Sequence, residues 1–348
     1  VKVVVYPADR FACGHFRMIW PGEMLAARGL DVEVINTRDR RVRLHMDHDV
    51  VKDVEIDADV VVFQRLTHMW MRQAVPILRA KGVAVVIDVD DDLSSVHPSN
   101  PAWGAIKPGT DHSWHNLADA CRNATLVTVS APALLPVYAS HGRGHVLHNY
   151  LPAHYYGLPR TDSELIGWPA SIHSHPNDPD AVGGAVARIV NEGARFRMFG
   201  DNTGAGRAFG LSADPDGGAV EMQEWPRAVS TLGIGIAPLA DTKFNRSKSW
   251  LKPLEMSACG VPWVASPRPE YVRLNRMGAG VLAERPRVWY RELKRMRESA
   301  ALRQEMSAAG REVAAGLQLV DHVWRWEEAW KRALDIQHNV QRSAAVVM

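Results

Sequence analysis

Residues 232–270 read LGIGIAPLADTKFNRSKSWLKPLEMSACGVPWVASPRPE. The opening run, 232–237, is small, apolar and suited to a buried strand. A polar loop follows, then a short helix ended by Gly260 and Pro262, and a second apolar run at 261–265. Strand, helix and strand at this spacing form the repeating unit of a parallel sheet. The loop gathers Lys243, Arg246, Lys248 and Lys252, and Pro253 suits the first helical position, where its missing N–H costs nothing. Cations just before a helix N-terminus, together with the free backbone N–H groups there, favour a bound phosphate or diphosphate. Glu255, expected in the first turn, suits the two hydroxyls of a ribose. The plainer alternative is a solvated, charge-rich loop whose glutamate complements the helix dipole.

The same alternation extends outward in both directions. Toward the N-terminus, strands are expected at 1–6, 32–35, 60–63, 83–88, 126–130 and 144–147. Helices fit between them at 16–28, 70–81, 113–122 and 132–141, the first two closed by Gly29 and Gly82. Around 149–160 the pattern breaks into a proline- and aromatic-rich stretch, read as a linker. A second series places strands at 165–168, 195–200, 219–222, 232–237, 261–265 and 280–282, with a helix at 179–192. The tail from 288 to about 337 is helical, and Val323, Trp326, Trp330 and Leu334 share one apolar face. The expected architecture is α/β, with two Rossmann-like doubly wound domains facing across a cleft. The expected boundaries are 1–152, 153–320 and a C-terminal helix, 321–348, packing back on the first domain. In such sheets, ligands bind at the carboxyl ends of the strands.

Composition narrows the function classes. With 41 Lys and Arg against 39 Asp and Glu, the formal charge of +2 argues against a polycation that coats nucleic acid. The three cysteines, Cys13, Cys121 and Cys259, form no CxxC, so neither a disulfide framework nor a structural zinc site is expected, and a reducing cytoplasm is. No apolar run reaches the length of a membrane span. The first strand-to-helix turn, PADRFACGH, holds the single Gly14 rather than GxGxxG, and no GxxxxGK[ST] occurs. Nicotinamide and P-loop chemistries are therefore poor fits.

The pattern FNxxKSxLKxLExxAxGxPxVAS, carried here by Phe244, Asn245, Lys248, Ser249, Leu251, Lys252, Leu254, Glu255, Ala258, Gly260, Pro262 and 264–266, resembles the donor-binding part of retaining GT-B glycosyltransferases of group 1 (family 4-like). IGWPAS at 166–171, VTVSAPAL at 127–134 with His148-Asn149, and GHFRMIWPGEMLAARG at 14–29 resemble further parts of that fold. The resemblance implies transfer of a sugar from a nucleoside diphosphate sugar, UDP- or GDP-linked, to a hydroxyl acceptor, with no metal and no resident cofactor. It implies that Lys248, Lys252 and Arg246 stabilise the leaving diphosphate, while Glu255 holds the ribose. Asn245, Phe244, Ser171 and His173 line the donor. Many relatives carry a second glutamate eight positions earlier; here that position is Ser247, which leaves the donor sugar and the stereochemical course open. The acceptor is expected to be a glycan or lipid-linked glycan, with a protein or nucleic acid as alternatives. A nucleotide-sugar epimerase or hydrolase, or a non-catalytic nucleotide-sugar-binding protein, would use the same donor site.

Other candidates lie in the first half. IDVDDDL at 87–93 ends a strand with adjacent carboxylates, of which Asp90 and Asp91 suit an acceptor-binding group or general base; a strand-end turn with a helix cap is the simpler account. Gly14 would allow close backbone approach to a ligand, and Arg17 would face it. The basic run at 38–44 reads as a solvated loop. The stretch 97–112, with Trp103 and His112, reads as a lid or a core seal.

Overall fold

The protein is described by a computed structural model covering residues 1–35, 41–108 and 113–347, with side chains to residue 343. The expectations placed on residues 38–40 and on 109–112, His112 included, lie outside the described residues. The chain divides into two compact units. The first comprises Val1–Val96, Ala102–Asn149 and Leu319–Met348; the second comprises His97–Pro101 and Tyr150–Gln318.

In the first unit the strands are β1 (Val3–Tyr6), β2 (Val32–Val34), β3 (Arg43–Asp47), β4 (Val50–Glu55), β5 (Val60–Gln64), β6 (Ala84–Val89), β7 (Leu126–Val129) and β8 (Gly144–Val146). Six of them form a parallel sheet in the order β2-β1-β5-β6-β7-β8. Val60–Phe63 and Ala84–Val89 are wholly buried, as expected for central parallel strands covered on both faces. The antiparallel hairpin β3-β4 was not expected. Its strands, RLHMD and VVKDVE, mix charged and apolar residues over a mostly exposed surface, and the second does not alternate, so no clean period-two signal marks them.

The second unit adds β9 (Ile166–Trp168), β10 (Phe196–Phe199), β11 (Asp216–Gly218), β12 (Ile234–Ala237), β13 (Trp263–Ala265) and β14 (Val281–Leu282), all parallel in the order β11-β10-β9-β12-β13-β14. Its core packs Trp168, Ile234, Ile236, Val264, Trp289 and Leu293 with little or no exposure. The strand expected at 219–222 is instead Asp216–Gly218. A Cβ on Gly217 would sit 1.6 Å from the Met198 carbonyl oxygen, so only glycine lets this edge strand approach β10.

Two helices also depart from expectation. The first helical segment begins at Ala12, passes through a wide turn at His15–Ile19, and ends at Ala27. The helix read as opening at Pro253 spans Leu251–Ala258, which puts Pro253 third and Glu255 in the second turn. Proline is tolerated there because the first four N–H groups of a helix have no partner within it. The C-terminal helix, Trp324–Val347, packs on the first unit, as the fold class requires. Trp326 and Trp330 are buried, and Trp326 Nε1 donates to the Arg17 carbonyl (2.8 Å). Among the described residues no helix is long and apolar enough to cross a membrane.

Candidate functional site

Each sheet reverses its winding once, between β1 and β5 in the first unit and between β9 and β12 in the second. The loops leaving the carboxyl ends of such a strand pair diverge and open a crevice, the usual ligand position in doubly wound sheets.

In the second unit the two diverging loops are tied together by one carboxylate. Asp178 is buried, and its Oδ1 accepts from the Ala240 N–H (2.9 Å) and from Asn245 Nδ2 (2.6 Å), while Oδ2 meets His175 Nδ1 at 2.7 Å. Thr242 Oγ1 caps the turn Lys243–Arg246 by accepting from the Asn245 N–H (3.1 Å). Asn245, expected at the donor, therefore spends its amide inside the loop. Ser247, at the position of the missing glutamate, is buried and donates to the Phe244 carbonyl (2.7 Å). Arg246 is exposed and pairs with Asp241 through Nε (2.8 Å) and Nη2 (3.0 Å), so it orders this loop.

Lys248, Lys252, His175 and Glu255 also belong to this edge. Lys248 Nζ lies 4.3 Å from the centre of the half-buried Phe244 ring. No side chain caps the helix Leu251–Ala258 at Trp250. Glu255 is only 4% exposed and accepts from the Tyr155 hydroxyl (2.9 Å). Burial pushes its carboxyl up to about 7, against the pull of Lys252 and of hydrogen bonds from Tyr155 and Trp225. The His175 imidazole is held down at about 4, first by burial and next by Lys252, with Lys248 adding to the effect and Asp178 opposing it. Ser171 is half-buried and His173 exposed on the loop after β9.

In the first unit Arg17 corrects its expected role. It is buried, donating from Nε and Nη2 to the Asp88 carboxylate (3.1 and 2.6 Å) and from Nη1 to Asn149 Oδ1 (3.0 Å) and the Leu147 carbonyl. Thr128 Oγ1 also donates to Asp88 (2.7 Å). The sequence, read locally, gives no sign of this pair because Asp88 lies on a distant strand. Gly14 is likewise explained from within: a Cβ there would sit 1.9 Å from the Asp9 carbonyl oxygen. Asp92 is a helix cap, accepting from the Ser94 N–H (3.1 Å) and the Ser95 hydroxyl (2.8 Å). Asp91 is half-buried, and its carbonyl accepts from Tyr138 (2.8 Å).

Asp90 is buried 3.6 Å from Arg65 Nε, and Arg65 also pairs with Asp9. Arg65 holds a left-handed φ of 49° at the carboxyl end of β5, where it lines a cavity of about 330 Å3 with Tyr6, Phe63, His68 and Met71. Among the described residues no three His, Cys, Asp or Glu side chains converge to hold a metal ion.

Sequence reading missed Tyr155, His175, Asp178, Arg65 and Asp9. Only the His–Asp pair left a local trace, its spacing of three. Tyr155 sat in the stretch read as linker, yet it is fully buried in the second unit.

No protein-family model matches the chain, and no curated protein matches it. Solved structures do. Sucrose-phosphate synthase from Thermosynechococcus elongatus matches with a TM-score of 0.64 at 12% identity, over 95% of this chain and 99% of that one. A glycosyltransferase from Rickettsia africae gives 0.65 at 11% identity, over 96% and 98%. Anabaena HepE in complex with UDP and glucose gives 0.60 at 10% identity, over 99% of both chains. These likenesses span nearly the whole chain and show its fold: the GT-B arrangement of two Rossmann-like domains with a long C-terminal helix, as the motif at 244–266 implied.

Proposed function

We propose that this chain is a glycosyltransferase that moves a sugar from a nucleoside diphosphate sugar, UDP- or GDP-linked, to a hydroxyl acceptor, without a metal and with retention of configuration. The observation that carries the reading is the segment after β12, at the β9–β12 switch point: a buried carboxylate, Glu255, on the helix Leu251–Ala258, with Lys252 three residues earlier on the same helical face and Lys248 just before the helix. A carboxylate for a diol and two ammonium groups for a diphosphate match the two ends of such a donor. The fold likeness adds support, since Anabaena HepE has been solved in complex with UDP-glucose.

As the glycosidic bond breaks, negative charge grows on the departing diphosphate. Lys248 and Lys252 then gain more from the transition state than from the ground state, which is the condition for speeding the chemical step. Glu255 accepts from the ribose hydroxyls and fixes the nucleotide. Arg246 contributes through the loop it orders, and backbone N–H groups of 241–245 meet the donor sugar where Ser247 offers no carboxylate. Asp90 and Asp91 serve the acceptor, a glycan or lipid-linked glycan. With retention, the acceptor attacks on the leaving-group face and a diphosphate oxygen helps to remove its proton.

A thermal-shift and mass-spectrometric screen against UDP-, GDP-, ADP- and dTDP-sugars tests the reading. One nucleotide class should raise the unfolding midpoint and release its nucleoside diphosphate when an acceptor is present. No shift with any of the four sinks it. Consumption of the donor without an acceptor would mark an epimerase or hydrolase instead.

A further inference from the structure

The hairpin β3-β4 has one edge closed by its own unit and the other open. Its turn is His48-Asp49, and its register sets Leu44 beside Val54 and Met46 beside Val51. In an antiparallel pair, alternate residues turn their backbone groups away from the neighbouring strand, and facing residues do so together. On β4 those residues are Val51 and Val54. The Val51 N–H donates to Gln73 Oε1 (3.0 Å) on the helix Met69–Ala80, and Lys81 Nζ, just past that helix, donates to the Val54 carbonyl (2.8 Å). Met46 and Leu44, their partners, therefore turn outward from β3. At the start of the strand the Val42 N–H donates to the Tyr6 hydroxyl (3.0 Å). Beyond it, among the described residues, no group bonds the N–H or carbonyl of Leu44 or Met46 on this side. Open edges are usually blunted by Lys, Pro or a bulge on the edge strand itself. Here the extra residue, Lys52, sits on β4. β3 reads RLHMD, so its first residue is basic and its last acidic, and both are exposed.

We propose that β3 is a self-association edge: two copies of this chain pair through it, antiparallel, about a two-fold axis at His45. Leu44 of each copy exchanges backbone hydrogen bonds with Met46 of the other, and Arg43 of each stands opposite Asp47 of the other. Opposite charges on facing residues stabilise a strand pair, and like charges weaken it. A parallel, in-register pairing would set Arg43 on Arg43 and Asp47 on Asp47, so the order of charges selects the antiparallel arrangement. Within its own chain Asp47 has only Lys52 at 3.6 Å and His48 at 3.8 Å, all three well exposed, so it is not locked away from a second arginine. Leu44 and Met46 share a face of the strand, and Met46, 38% exposed, gains an apolar neighbour from the other copy. The two hairpins become one four-stranded sheet, past the two-strand size that is marginal alone. Five residues a side fall below the roughly 1,200 Å2 of a stable interface, so the dimer dissociates readily. The inference is independent of the donor-site reading.

Sedimentation velocity and cysteine crosslinking of the full chain test it. In the proposed pairing the two His45 residues form a non-hydrogen-bonded pair with Cα atoms about 4.5 Å apart, inside the roughly 4.4–6.8 Å that a disulfide spans. His45→Cys treated with oxidised glutathione should therefore give a disulfide-linked dimer. Val50→Cys, exposed on the other strand, should give several-fold less, and the wild type, with Cys121 and Cys259 buried, sets the background. Without added cysteine, the chain should shift from monomer to dimer as its concentration rises. Asp47→Arg sets Arg opposite Arg at both ends of the pairing and should raise the dissociation constant roughly tenfold or more. The charge swap R43D/D47R should restore it. Arg43→Asp, which sets Asp opposite Asp, carries the same test if D47R fails to fold. A monomer at every concentration up to about 1 mM, equal crosslinking by H45C and V50C, a D47R that dimerises like the wild type, or a charge swap that does not recover overturns the inference.

Discussion

Glu255→Gln should make the protein more stable and less able to bind nucleotide. The carboxyl stands at about 7 in the fold, against an ordinary 4.5, because burial penalises the charged form. Such a group binds its proton more tightly folded than unfolded. Its cost is absent below pH 4.5, grows as pH rises, and is complete above pH 7, where it reaches about 3 kcal/mol. Glutamine carries no charge and keeps an oxygen for the Tyr155 hydroxyl. Turning the second oxygen into a donor returns roughly 1 kcal/mol. The net gain above pH 8 is thus about 2 kcal/mol, or roughly 4–8 °C in the unfolding midpoint of a domain of this size. Near pH 5 the two proteins should unfold almost alike. Losing charge-assisted bonds to a ribose should meanwhile weaken UDP binding roughly 10- to 100-fold. In the wild type, affinity should rise about tenfold from pH 6 to pH 8 as Glu255 ionises. Thermal melts at the two pH values and calorimetric UDP titrations supply both numbers. A variant less stable than wild type at pH 8.5, or one that binds UDP as well, refutes the assignment of Glu255.

Other substitutions separate the roles of the remaining residues. Arg17→Met leaves Asp88 buried without its partner and should cost about 3–5 kcal/mol in urea unfolding; a change below 1 kcal/mol would mean the pair is not buried as described. Lys248→Ala and Lys252→Ala should each lower turnover by roughly 100- to 1000-fold with a smaller change in UDP affinity, the size expected for one group that stabilises developing charge. Normal turnover in both would remove them from the leaving-group site. Gly14→Ala drives a methyl into the Asp9 carbonyl oxygen, 1.9 Å away, and should destabilise by roughly 1–3 kcal/mol in the same unfolding assay. Prior treatment with EDTA should leave turnover unchanged; a loss restored by Mg2+ would overturn the metal-independent reading.

What the sequence made legible follows from the range over which each signal acts. Eleven of the twelve strands read from apolar runs lie where expected, since central parallel strands such as Val60–Gln64 are apolar along their whole length. The exception, at 219–222, shows the limit of hydropathy: Gly217 and Gly218 carry no apolar signal, yet at Gly217 any larger residue would strike the Met198 carbonyl of β10. Lys248, Lys252 and Glu255 could be singled out as candidates because they stand on one short segment beside a glycine and prolines with positional meaning. Arg17 was misread and Arg65 missed for the opposite reason. Their partners, Asp88 in one case and Asp9 and Asp90 in the other, come from strands and loops that only the folded sheet brings together.

The position of Glu255 one turn later than expected changes how the donor would be read. Lys252 and Glu255 are three apart within Leu251–Ala258, hence neighbours on one helical face. Phosphate and ribose would then be fixed by one rigid element, whose spacing does not depend on loop conformation. The loop after β9 has no glycine-rich turn to offer backbone N–H groups to a diphosphate, so the charge must be met by side chains. Two carboxylates near this element are engaged by other groups: Asp241 by Arg246 and Arg268, and Asp178 by His175, Asn245 and the Ala240 amide. Glu255 is raised toward neutrality by burial. Under the proposed reading, a diphosphate would therefore meet Lys252 and a ribose would meet Glu255 from the same helical face, and substitutions at the two positions should affect the two ends of the donor separately.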